Sequence, residues 1–101
     1  MLIFNTTFLV SDHVYGQWIK WIREEHIPFM LASKTFSKPQ LAKVHTQEDQ
    51  EGTSYSLQFH VADLLTLENW HIENTKTFEK QFAEKFGTEV VFFASILEII
   101  Q

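Results

Sequence analysis

The sequence predicts an α+β domain with the element order βαββαβ. Three observations carry that expectation. Strand-like segments stand at the start and the end of the chain, with two more in the middle. Two longer segments repeat their apolar residues at helical spacing. A polar stretch, Gln47-Glu-Asp-Gln-Glu-Gly52, separates the two middle strands as a hairpin loop would.

Each element has a local reason. From Leu2 to Val10 the chain alternates, with Leu2, Phe4, Thr6, Phe8 and Val10 on one face and Ile3, Asn5, Thr7 and Leu9 on the other. Ser11 and Asp12 offer N-cap oxygens to a first helix expected to reach about Ile27. Pro28 lacks an N–H and disfavours helical geometry at Ile27, so a kink or stop is predicted there, with one more turn over Phe29 to Ser33. Gln40 to Thr46 reads as the second strand, and Ser54 to Val61 as the third. In the third strand Tyr55, Leu57, Phe59 and Val61 oppose Ser54, Ser56, Gln58 and His60. Asp63 caps a second helix that runs to about Phe86, and Gly87 is its stop signal. Val90 to Ile100 is the fourth strand. This order is the ferredoxin-like arrangement, an antiparallel four-stranded sheet with two helices on one face. All 101 residues are expected to form one domain.

The fourth strand is apolar on both faces, with Val91, Phe93, Leu97 and Ile99 on one and Val90, Phe92, Ile96 and Ile100 on the other. It should lie at a sheet edge, and helices can cover only one of its faces. A homodimer through the open sheet face and strand four is the expected cover. The composition agrees: ten Phe and three Trp are more large apolar surface than one small core usually hides.

The net charge of −5, with no basic stripe, argues against a nucleic-acid partner and against an anionic membrane surface. The absence of cysteine excludes disulfides, thiol catalysis and cysteine-ligated metals. The first ten residues read as a strand rather than a signal peptide, and no segment has transmembrane length, so a cytoplasmic location is expected.

Candidate site residues emerge as polar groups inside apolar stripes. On the first helix Val14, Trp18, Trp21, Ile22 and Phe29 form the inward stripe; Glu25 falls within it and His26 on its flank. On the second helix Leu64, Leu67, Phe78 and Phe82 form the stripe, with His71 and Asn74 inside it, flanked by Thr75. Trp18, Trp21, Glu25, His26, His71 and Asn74 are therefore the candidate lining of a small-molecule pocket between helices and sheet. The competing expectation is an interaction module in which these groups are satisfied internally, for example by a Glu25–His71 pair. A third is an enzyme using His26 or Glu25 as a base on an electron-rich aromatic substrate. The five His residues lack ligand spacing, and Glu68-Asn-Trp-His71 is a lone half of a two-metal motif, so neither a metal nor a cofactor is expected.

Trp18-x-x-Trp21 followed by Glu25-His26-Ile27-Pro28, then Gly52-x-x-Tyr55-x-x-Gln58-Phe59, Lys85-Phe86-Gly87 and Leu97-Glu98, resembles the bacterial domain-of-unknown-function 4286 family over nearly the whole chain. The resemblance implies a ferredoxin-like, dimeric α+β-barrel domain and no assigned activity. The wider superfamily includes cofactor-free monooxygenases, haem-degrading proteins and small-molecule sensors, and fold alone does not choose among them. Two departures bear on chemistry. The family's second helix commonly carries His-Ala-Pro where this chain has Asn74-Thr75-Lys76, and its closing strand a Phe-Arg pair where this chain has Phe93-Ala94. A shared chemistry built on that His and Arg would be incomplete here.

Overall fold

The computed structural model describes residues 1–45 and 52–101. β1 (Leu2–Val10) is an inner strand of a four-stranded sheet ordered β2-β3-β1-β4. It pairs antiparallel with β3 (Thr53–Val61) on one side and with β4 (Val90–Glu98) on the other. β2 (Phe36–Lys43) pairs with β3 and forms the far edge. The alternation in β1 is realised: Phe4, Phe8 and Val10 are buried, beside Leu57, Phe59 and Val61 of β3 and Val90 of β4. Helices cover this face.

The opposite face splits into two halves. Around Asn5 it is polar and internally bonded. Asn5 Nδ2 donates to Thr7 Oγ1 (3.2 Å) and Ser95 Oγ (3.3 Å), and Ser56 Oγ donates to Asn5 Oδ1. Toward β4 the same face is apolar and open, where Val91, Phe93 and Leu97 lie opposite Leu9, Thr7 and Ile3.

The first helical arm departs from expectation. It starts as a short 3₁₀ turn (Asp12–Val14), becomes α1 (Tyr15–Trp21), opens into a π-turn (Ile22–His26) and continues as α2 (Ile27–Ala32). Ser11 makes no side-chain capping bond. The arm does not stop at Pro28, which sits in the first turn of α2, where an absent N–H costs least. The wide turn immediately before it lengthens the repeat to five residues and re-phases everything that follows.

α3 (Leu64–Phe86) keeps its predicted bounds. Asp63 Oδ1 accepts from Thr66 N at 2.8 Å, which holds the Asp63 carboxyl below its usual range, and Gly87 closes the helix at φ 56°. Leu67, Trp70, Phe82 and Phe86 are its buried residues, whereas Leu64 is 48% exposed and does not belong to the inward stripe.

β2 begins at Phe36, four residues before the predicted Gln40, and ends at Lys43; the predicted end, Thr46, lies outside the described residues. Phe36 anchors that start, buried opposite Val61. An irregularity between Ser37 and Gln40 follows, with Lys38 at φ 51° beside Pro39, a residue tolerated on an edge strand. β4 ends at Glu98, not Ile100, because its partner β1 begins at Leu2 opposite it. Of the predicted hairpin loop only Gly52 is described; residues 46–51 lie outside the described residues. Gly52 holds φ 99°, and a Cβ there would run into the Val10 carbonyl, so no other residue fits this turn into β3 without strain. No described helix is long and apolar enough to cross a membrane.

Candidate functional site

The π-turn determines which side chains of the first arm face inward. A continuous α-helix from Trp18 would place Glu25 inside and His26 on the flank. The extra residue reverses them. Trp18, Ile22, His26 and Met30, each four apart, are buried, and Glu25 and Phe29 face out. Glu25 Oε2 accepts from Lys85 Nζ of α3 at 3.3 Å in an exposed ion pair. The expected Glu25–His71 pair is therefore replaced, and a contact of this exposure contributes little to stability.

His26 is 5% exposed. Its ring stacks on Trp21 at a centroid distance of 4.7 Å and an angle of 18°, and lies 5.1 Å from Phe78 of α3. Neither ring nitrogen has a hydrogen-bond partner among the described residues. Burial with no compensating charge disfavours the imidazolium and lowers the pKa from 6.5 to about 4. The ring is neutral at physiological pH and offers one donor and one acceptor.

Two clefts meet at this ring. The inner one has a volume of about 60 Å³ and is walled by Phe4 and Thr6 of β1, His26 and Met30 of the arm, Trp70 and Phe78 of α3, and Phe92 of β4. His71, Thr75 and Glu79 of α3 also line it. The outer one, about 280 Å³, lies between the arm and α3 and is lined by Trp21, Glu25, His26, Phe29, Asn74 and Phe78, with Thr77 and Gln81. His26 and Phe78 are common to both.

The six sequence candidates are thus divided. Trp21, Glu25, His26 and Asn74 line the outer cleft, and His26 and His71 the inner one. Trp18 is fully buried against Phe8 (5.4 Å) and Tyr55 (4.9 Å), lines neither cleft, and leaves its Nε1 without a partner among the described residues. His71 is exposed rather than inside the helical stripe, because Trp70 takes the inward position. Asn74 Nδ2 is occupied locally, donating to the Trp70 carbonyl at 2.8 Å.

Thr6 is absent from the sequence candidates. It is 8% exposed, its hydroxyl has no hydrogen-bond partner among the described residues, and it lines the inner cleft together with His26. The signal was present: Thr6 is the one polar residue in the inward set of β1, between Phe4 and Phe8. Two polar side chains, each more than nine-tenths buried and without a hydrogen-bond partner among the described residues, therefore share a largely aromatic cleft. That is the usual make-up of a small-molecule site, apolar walls with a few polar atoms fixing orientation.

Comparisons with known proteins agree with this fold. A dimeric ferredoxin-like protein from an uncultured marine organism, known from its crystal structure, superposes with a TM-score of 0.71 over 99% of this chain and 95% of its own, at 16% identity. Among curated proteins none matches. Residues 1–100 match the family described as domain of unknown function 4286, and the chain belongs to that family.

Proposed function

We propose that the protein is a homodimer that binds a small, uncharged molecule in the inner cleft, between Thr6 and His26. One observation carries the reading: two polar side chains, each more than nine-tenths buried and without hydrogen-bond partners among the described residues, line one largely aromatic cleft. A ligand could bond both groups, and Phe4, Trp70, Phe78 and Phe92 would supply the apolar contact.

Binding is favoured over proton abstraction by the same burial. A general base works best with a pKa near the operating pH, and an imidazole lowered to about 4 is a weak one. The dimer is supported by the apolar, open half of the sheet at Val91, Phe93 and Leu97, and by the dimeric state of the ferredoxin-like structural relative.

The test is a thermal-shift panel of small neutral compounds on the wild-type protein and on Thr6→Val and His26→Phe. A ligand at one hundred times its dissociation constant adds about 2.7 kcal/mol. The wild type should show a shift of that kind, and both variants should lose most of it. A ligand that shifts all three proteins equally binds elsewhere and would overturn the assignment.

A further inference from the structure

We infer that the ligand is a linear alkyl chain with a single uncharged hydroxyl head, held head-first in the inner cleft; the inference rests on the reading of that cleft as a binding site. Four observations converge on it.

The first is width. The inner cleft measures about 60 Å³, well below the roughly 150 Å³ of a cavity that accepts benzene. That volume favours the end of an unbranched chain, which is narrower than a ring.

The second is continuity. A longer groove of about 460 Å³ runs between α3 and β4 and shares Phe4, His71 and Ala94 with the inner cleft. The polar end of the site therefore adjoins an extended apolar trough.

The third is the character of that trough. Leu64, Ile72 and Ile96 line it and are 48%, 81% and 50% exposed. These side chains form a strip along one helix and one edge strand, the shape that an alkyl chain covers. An apolar strip leading to a polar pocket favours an amphiphile over a compact molecule.

The fourth is charge. The formally charged side chains on the two linings are Glu68 and Glu79, and no Lys or Arg is among them. A carboxylate or phosphate head in the inner cleft would be desolvated without a cation and repelled by Glu79. A hydroxyl has no such penalty. It can donate to one of Thr6 Oγ1 and the neutral His26 ring and accept from the other.

The experiment is a binding titration, read by tryptophan fluorescence and calorimetry, with 1-hexanol, 1-octanol, 1-decanol, decanoate and phenol. Affinity should rise along the three alcohols, by up to roughly fourfold per methylene buried. Decanoate should bind at least about tenfold more weakly than 1-decanol. Thr6→Val keeps the β-branched shape, removes the hydroxyl, and should weaken 1-decanol by about tenfold. Ile72→Asp, at a site too exposed to disturb folding, should flatten the chain-length dependence. Equal or tighter binding of decanoate, a flat alcohol series, or an unaffected Thr6→Val would each overturn the inference. Phenol binding that Thr6→Val abolishes, with no alcohol binding, would overturn the alkyl class and leave the cleft as a binding site. No binding by any of the five probes would count against both.

Discussion

His26 links the site to the stability of the protein. Its pKa is lowered from 6.5 to about 4 by burial, so between those values the unfolded chain binds the extra proton and the native one does not. Stability is then flat above pH 6.5 and is lost as the pH falls from 6.5 toward 4, by on the order of 3 kcal/mol in all. In His26→Phe that part of the acid slope should vanish, because a phenyl ring fills the stacked position on Trp21 without titrating. Melting temperatures from pH 7 to pH 4 check this, and an equal slope in both proteins would contradict it. The importance of the Glu25–His26 pair was legible in the sequence, from two titratable groups at an apolar stripe. Which of the two turns inward was not, because a seven-residue spacing from Trp18 favours Glu25 in any regular α-helix.

At the scale of the element, the π-turn Ile22–His26 is one residue more than an α-helix needs. Deleting Glu24 should therefore be tolerated, since it brings His26 to the seven-residue spacing that faces inward and keeps Trp18 and Met30 on one side. Deleting Glu79 from α3 should not be, because it rotates Phe82 and Phe86 out of the core. The first deletion should cost little; the second should cost on the order of 3 kcal/mol or more, the scale of losing a buried Phe. Paired denaturant melts test the contrast, and equal losses would mean that the π-turn does not absorb the deletion. Pro28 marked this place in the sequence as irregular, but a missing N–H is compatible with a stop, a kink or a widened turn. The choice among them rests on Met30 reaching the core after Ile22 and His26.

At the scale of the whole molecule, the open sheet face is where one chain leaves apolar surface uncovered. Val91, Phe93 and Leu97 are 52%, 64% and 43% exposed on the face away from the helices. Ile96 lies opposite Phe4, on the helical side. Phe93→Asp should therefore disrupt the proposed dimer, and Ile96→Asp should leave it assembled. The loss is expected to be at least about 2 kcal/mol per protomer, the apolar burial forgone plus the cost of a charge at the contact. Sedimentation at micromolar concentration decides this. A wild-type monomer with an unchanged melting temperature would remove the need for a partner.

By itself the sequence determined the order of the elements, the bounds of β1 and α3, and the alternating faces of β1 and β3. These follow from period, capping residues and turn signals, all of which act within a few residues. Asp63 and Gly87 fix the two ends of α3 in this way. The start of β2 was decided by tertiary structure, since Phe36 joins the strand only by packing opposite Val61 of β3. So was the inward position of His26, and so was the part of Thr6, a polar residue in an apolar strand whose meaning depends on what lies across from it. A cleft is a relation between β1, the first arm, α3 and β4, elements separated along the chain, and local periodicity does not encode how they pack against one another.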